Sequence, residues 1–413
     1  MQPQQTEPQP GTVTEQDQQL VVAAPSPAPI KRFIRQQVPD SILHNEDLNT
    51  AMRALPGNYN FEIHKTVWRI QQAKATTVAL QFPEGLLMYA CVIADLLEAF
   101  AGVRHALVLG DVTYGACCVD DFSAAAMGAE LLVHYGHSCL VPVDVTSVPC
   151  LYVFVDIAID VDHLVDSVLL NFAPRTRLSL AGTIQFSSAI QLAKQRLSPT
   201  FPSLTIPKIK PLSPGEVLGC TAPVLDPRDG FQALVFVADG RFHLEAFMIA
   251  NPSLPAYRYD PYARVLSQES YDHAGMRHTR RLAVEASRGA ARWGVILGTL
   301  GRQGNPAIVD TLQRHLASRG RCVTTMLLSE ITPTKLAAMA PSFDAWVQVA
   351  CPRLSIDWGE GFGQPTLTPY EALVSLGVVD PWWAEEGPEA LQPYPMDYYS
   401  SAGGDWGSSY HKK

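Results

Sequence analysis

The chain has 413 residues, 47% of them apolar, and a formal charge of −9. That apolar content suits two or three domains with substantial cores. The acidic balance and the lack of a basic run argue against a polyanion-binding surface, so no direct nucleic-acid contact is expected.

The opening MQPQQTEPQPGTVTEQ has neither a positive start nor an apolar segment, so it does not read as a secretory signal. Residues 1–30, rich in Gln, Pro, Thr and Glu, are expected to be a disordered tail. Residues 31–73 read as an entry arm with short helices, as in PDSILHNEDLNTAMRAL with its Asp40-Ser41 start signal. The longest apolar stretch, LLMYACVIADLLEAF, is interrupted by Asp95 and too short to span a bilayer. A soluble cytoplasmic protein without membrane contact is expected.

From residue 74, short aliphatic runs alternate with amphipathic stretches. TTVALQF, HALVLGD and AELLVHY read as buried strands. GLLMYACVIADLLEAFAG and DDFSAAAMG read as the helices between them, giving a βαβαβ unit over 74–150. LYVFVDIAI, RLSLAGTI, EVLGC and QALVFVAD, with helical SSAIQLAKQRL, make a second unit over 151–256. Residues 257–290 read as a largely helical connector. WGVILGTL, RCVTTMLL and AWVQVAC, separated by NPAIVDTLQRHLASRG and TPTKLAAMAPSF, make a third unit over 291–386. The fold class is therefore α/β in three units. Residues 387–413 are turn-rich and expected to form a mobile tail.

Eight cysteines in a reducing compartment are thiols or metal ligands, and each is by default a small buried hydrophobe. Cys91, in a helical apolar face, and Cys322, in a strand, are expected in the core. Cys139 and Cys150, flanking LVPVD, lean the same way. Cys117, Cys220 and Cys351 differ: each falls where an aliphatic strand gives way to a turn, one per unit. Ligands of parallel sheets bind at such strand ends. No CxxC or zinc-finger spacing exists, so a metal site would need three converging domains. Three thiolates leave one position open, and soft sulfur suits zinc or iron–sulfur clusters. On spacing alone, three unrelated buried thiols is the simpler reading.

Other polar groups collect at strand ends. Glu84 of PEGL could meet a ligand or cap a helix. His134 and His137 lie in HYGHSC, and Asp239, Arg241 and His243 in ADGRFH. GTLGRQGNP joins a strand to a helix starting near Pro306. Its glycines, Gly298, Gly301 and Gly304, match neither GxGxxG nor a Walker loop. With Arg302 and Gln303 they form a candidate ligand loop before a helix N-terminus. CPRLSIDWG combines Cys351 with Arg353 and Asp357, without a nearby histidine base.

PEGL, DVTYGACCVDD, LLVHYGHSCLVPVD, VLGCTAP, FVADGRFHLEA, RYDPY, GTLGRQGNP and CPRLSIDWG, in this order, resemble the diphthamide synthase family over about residues 60–385. The resemblance implies three similar Rossmann-like domains around a central 4Fe–4S cluster, with Cys117, Cys220 and Cys351 as its ligands. Cys118 is then packing or a support beside the ligand Cys117. It implies a non-classical radical enzyme in which S-adenosyl-L-methionine is cleaved to methylthioadenosine. The 3-amino-3-carboxypropyl group passes to a histidine of translation elongation factor 2. Gly298, Gly301, Arg302, Gln303 and Gly304 become candidates for the methionine end of S-adenosylmethionine. Eukaryotic members pair subunits 1 and 2, and a small iron-binding protein donates electrons. All three cysteine positions are present, which favours the catalytic chain, with subunit 2 as its partner. A cluster-bearing accessory subunit, a quinolinate-synthase-like enzyme and a structural zinc protein are the competing readings.

Overall fold

The aliphatic runs become strands because they can be buried on both faces, as crossover-linked parallel strands are. The computed structural model describes residues 37–111, 113–384, 392–396, 399 and 406–407. The first sheet contains β1 (Thr77–Gln81), β2 (His105–Val108), β3 (Leu131–Tyr135) and β4 (Cys150–Val153), all parallel, in the order β2-β1-β3-β4. The second contains β5 (Leu178–Gly182), β6 (Ala233–Val237), β7 (Ala256–Asp260) and β8 (Val265–Glu269) in that order, antiparallel only at β7–β8. The third contains β9 (Arg292–Gly298), β10 (Cys322–Leu328), β11 (Ala345–Val349) and β12 (Thr366–Leu367), all parallel, in the order β10-β9-β11-β12.

The first and third sheets thus share a second–first–third–fourth order. This order has a topological switch point between its first and third strands, where parallel sheets open a crevice at their carboxyl ends. The second sheet approximates the same layout. Thr205 bridges Ser179 on the free edge of β5, where a second strand would lie. Strands β1, β3, β5, β6 and β11 are almost wholly buried, whereas the edge strand β10 is exposed or half-buried along its length. No helix among the described residues is long and apolar enough to cross a membrane.

Several expectations change. The helix expected across GLLMYACVIADLLEAF is two pieces, Glu84–Leu87 and Ala90–Phe100. The second piece buries Ala90, Ile93, Leu96 and Leu97, which turns Cys91 to the outside. Cys322 is exposed because it opens an edge strand, Cys139 is exposed, and Cys150 is half-buried. β4 pairs with β3, so the first sheet runs past residue 150 to Val153. EVLGC is not a strand; it makes only isolated bridges, Gly182 with Glu216 and Leu218 with Thr221. The connector is not mainly helical from its start. Residues 256–269 form the β7–β8 hairpin, and the helix begins at His273, capped by Asp272.

The arm carries short helices, Asp40–Leu43 and Glu46–Ala51, as expected. The 1–30 tail lies outside the described residues. The 387–413 tail lies partly outside them, but several of its described members are packed. Tyr394, Met396 and Tyr399 are buried in the largest core. Tyr394 donates from its hydroxyl to Glu371, the partner of buried Arg280.

Candidate functional site

Cys117, Cys220 and Cys351 line one cavity of about 440 Å³, each brought there by a different sheet. Cys117 sits in the single turn Ala116–Cys118 beyond β2. Gln81, buried at the end of β1, fixes this turn: its amide donates to the Cys118 carbonyl at 2.7 Å and its Oε1 accepts from the Asp120 amide at 3.2 Å. The same Oε1 lies 2.8 Å from His134 Nδ1. Cys220 follows Gly219, whose bare Cα lies flat against Phe242; a Cβ there would stand 1.9 Å from the ring. Cys351 precedes the helix Pro352–Trp358 beyond β11. Buried Gln348 of β11 donates to the Cys351 carbonyl at 2.9 Å and to Ser355 Oγ at 3.0 Å. Two strand-borne glutamines thus perform the same task on two cysteine loops.

Two arginines join the loops to one another. Arg302 donates its backbone N–H to the Cys117 carbonyl at 2.9 Å, and its guanidinium grips Asp121 at 2.8 and 2.6 Å. Gly301 has φ +54°, and a Cβ there would lie 2.5 Å from the Cys118 carbonyl carbon. Gln303 Nε2 reaches Cys118 Sγ at 3.4 Å. On the other side, Arg353 donates to the carbonyls of Gly219 and Phe242 at 3.2 and 2.8 Å, to Glu245 at 2.6 Å and to Asp357 at 2.8 Å. Its guanidinium also stacks over the Phe242 ring.

Of the loop proposed as a ligand grip, only Gln303 and Leu300 reach the cavity wall. Gly298 and Gly304 are needed for close packing: added Cβ atoms would meet Ala350 at 2.6 Å and the Gly298 carbonyl at 2.3 Å. Arg302 is engaged by the first sheet. Glu84 opens a four-residue helix without a side-chain cap. Arg241 pairs with Glu269 at 2.7 Å, whereas His137 and His243 do line the cavity. Gln81, Gln348 and Tyr399 were not singled out from sequence. A lone glutamine ending an apolar run was the only signal for the first two, and Tyr399 had none.

Two of the three thiols, Cys117 and Cys351, resist ionisation. The Cys117 thiol is pushed well above its usual value, by its hydrogen bond with Cys118, by burial, and by Cys220 and Cys351 across the cavity. Burial carries the Cys351 thiol to about 11. Burial also holds His137 and His243 near 4, so both imidazoles are neutral at neutral pH. A shared positive centre would reverse the cysteine shifts, because metal binding releases thiol protons. Among the described residues, no three or more Cys, His, Asp or Glu side chains are grouped to hold a single metal ion. The three thiols stand around a space instead. The soft donor set and the width of that space fit a multi-iron cluster better than one ion.

The family described as "Putative diphthamide synthesis protein" matches residues 82–388. The chain is 55% identical to 2-(3-amino-3-carboxypropyl)histidine synthase subunit 1 of Mus musculus, over 91% of this chain and 84% of that one. The subunit of the same name from Homo sapiens is 55% identical over 90% and 83%, and that from Dictyostelium discoideum 51% over 90% and 78%. Among solved structures, Dph2 from Pyrococcus horikoshii with a 4Fe-4S cluster superposes with a TM-score of 0.65. It is 25% identical and covers 81% of this chain and 94% of that one. The chain belongs to the diphthamide synthesis protein family, beside relatives that carry the name of subunit 1 of 2-(3-amino-3-carboxypropyl)histidine synthase.

Proposed function

We propose that this chain is the catalytic subunit of an enzyme that transfers the 3-amino-3-carboxypropyl group of S-adenosylmethionine to a histidine of translation elongation factor 2, the first step of diphthamide synthesis. The observation that carries this reading is the convergence of Cys117, Cys220 and Cys351 on one cavity from three sheets. These thiols would hold a 4Fe–4S cluster, with the three sheets as Rossmann-like domains around it. When bound, the cluster supplies one electron and an open iron position for S-adenosylmethionine. The protein's own residues provide the setting. Gln81 and Gln348 fix two cysteine loops, and Arg302 and Arg353 fix the spacing of all three. Leu140, Leu218, Ile331 and Leu354 on the cavity wall exclude water from the cleaved bond. Of the Gly298–Gly304 loop, Gln303 lines the cavity and would be the side chain to meet the methionine end. Neutral His137 and His243 can hydrogen-bond substrate without placing positive charge beside the sulfonium.

Subunit 2 is the proposed partner, and a small iron-binding protein the electron donor, in the cytoplasm. The test is anaerobic co-purification with subunit 2, reduction with dithionite, and addition of S-adenosylmethionine and elongation factor 2. Methylthioadenosine and a modified histidine are expected. Both disappear, with the brown absorbance, in Cys117→Ala, Cys220→Ala and Cys351→Ala. Retention of iron and turnover in all three variants refutes the assignment.

A further inference from the structure

The turn that carries Cys220 ends on a polar residue, Thr221, to which the thiol chemistry assigns no part. Leu218–Thr221 closes on itself, the backbone amides of Leu218 and Thr221 donating to each other's carbonyls at 2.9 and 3.4 Å. Cys220 and Thr221 leave this turn side by side, Cys220 lining the cavity and Thr221 fully buried. Valine has the same shape as threonine, so a hydroxyl at 0% exposure needs partners to offset its desolvation.

Thr221 Oγ1 has partners for both of its roles. It accepts from the backbone N–H of Tyr399 at 3.4 Å and donates to Cys220 Sγ at 3.9 Å. A hydroxyl carries a single proton, and one that accepts from an amide must direct its own proton elsewhere. Tyr399 is itself buried and lines the thiol cavity. The segment before it is anchored through Tyr394 on Glu371 and through the Gln392 carbonyl, which accepts from Arg277.

The other two thiols are met differently: Cys117 by the neighbouring Cys118 thiol, and Cys351 by the backbone N–H of Arg353. Both of those donors belong to the cysteine's own loop. The donor on Cys220 is oriented instead by a residue 178 positions from Thr221. Iron–sulfur potentials respond to hydrogen bonds on the sulfurs. An added electron raises the negative charge spread over those sulfurs, and a donor bonds the more negative form more strongly. The low dielectric of a buried site strengthens that preference. A hydroxyl on Cys220 therefore favours the reduced state.

We propose that Thr221 is a positioning residue for electron uptake: held by the Tyr399 amide, its hydroxyl donates to the Cys220 thiolate and raises the reduction potential of the cluster. The C-terminal segment thereby takes part in setting how readily the electron enters. This role rests on the three-cysteine cluster reading above; iron content and potential, measured together, separate the two. The full-length chain is reconstituted anaerobically with iron and sulfide, and iron is counted per chain. The midpoint potential is read from the electron paramagnetic resonance signal of the reduced cluster in mediator-poised samples.

Thr221→Val should keep iron at the unmutated value and lower the reduced-to-oxidised ratio at a fixed potential by about three- to tenfold. Thr221→Ser, which retains a donor, should stay close to the unmutated protein. Tyr399→Pro, which lacks the amide N–H, should shift the midpoint in the same direction as Thr221→Val, whereas Tyr399→Phe, which keeps it, should not. Normal iron with an unmoved midpoint in Thr221→Val overturns the proposal, as does a serine variant shifted as far as the valine one. An unmoved midpoint in Tyr399→Pro overturns the part given to the C-terminal segment. Should Thr221→Val lose its iron, Thr221→Ala against Thr221→Ser decides, and equal midpoints overturn the proposal. Iron retained in all three cysteine variants refutes the cluster reading, and the role of Thr221 falls with it.

Discussion

Replacing Arg353 by methionine should loosen the second cysteine loop from the third. The side chain is 3% exposed and contacts Glu245, Asp357 and the carbonyls of Gly219 and Phe242. Methionine keeps much of the volume but removes the guanidinium's hydrogen bonds to two carboxylates and two carbonyls. Removing one partner of a buried pair costs about 3–5 kcal/mol, a large fraction of the 5–15 kcal/mol of a typical domain. Arg353→Lys keeps the charge but loses the planar fork, and about 1–3 kcal/mol is expected for it. Arg196→Met removes an ion pair with Asp162 that is 41% and 83% exposed, and should cost less than about 1 kcal/mol. Urea unfolding of the full chain, monitored by far-UV circular dichroism, ranks the three. Iron content after anaerobic reconstitution reads the site itself, because Gly219 precedes Cys220 and Arg353 lies two residues beyond Cys351. Arg353→Met with unchanged stability and full iron would refute the argument that this guanidinium sets the spacing of the two thiols.

Cys118→Ala should retain iron, since Cys118 is fully buried and, unlike Cys117, does not line the cavity, and should destabilise by about 1–2 kcal/mol in the same unfolding assay. Arg302→Met leaves fully buried Asp121 without its guanidinium and should cost about 3 kcal/mol. Burial alone raises the Asp121 pKa, and Arg302 and Ser147 together bring it below the usual value. The variant should therefore move that carboxyl upward in a carbon-13 titration. Asp344 is held at about 2 by the Arg292 side chain and backbone amides. Its folded pKa lies below the unfolded one, about 4, so its contribution to stability is complete above that value and is lost as pH falls towards 2. A measured Asp344 midpoint near 4 would refute the pairing.

How much of this was legible in the sequence depended on whether the signal was local. β1, β3, β6, β9 and β11 stood out because strands buried on both faces read as unbroken aliphatic runs. Cys117, Cys220 and Cys351 stood out because each follows such a run. EVLGC failed as a strand because two β-branched or aliphatic residues beside Gly219 cannot pair when that glycine must lie against Phe242. The β7–β8 hairpin leaves little trace because YRYDPYARVLSQE alternates only weakly, and the parallel partner of β7, β6, is about twenty residues away. Cys91 falls on the core side only of a continuous helical period, and that period breaks between Leu87 and Ala90. The tail residues Tyr394 and Tyr399 looked mobile because their composition is turn-rich, yet they are held by Glu371 and by the third sheet's core. Long-range partners leave no periodic trace.

The same distinction explains how the site is built. Each cysteine loop is fixed locally by its own strand, but the distance between loops is not a property of any one sheet. The third sheet sets it, sending Arg302 to Asp121 on one side and Arg353 to Gly219 and Glu245 on the other. Charge-assisted forks resist small sliding motions better than aliphatic contacts do, because their energy depends on angle as well as distance. The first and second sheets meet differently, through Ala116, Leu140, Leu218 and a Tyr59–Tyr262 hydroxyl contact at 3.3 Å. A second cavity of about 230 Å³, lined by Ser138, Thr183 and Glu216 among others, opens on that face. With the third sheet forked to both neighbours, the spacing of the thiols does not depend on the softer contact between the first and second.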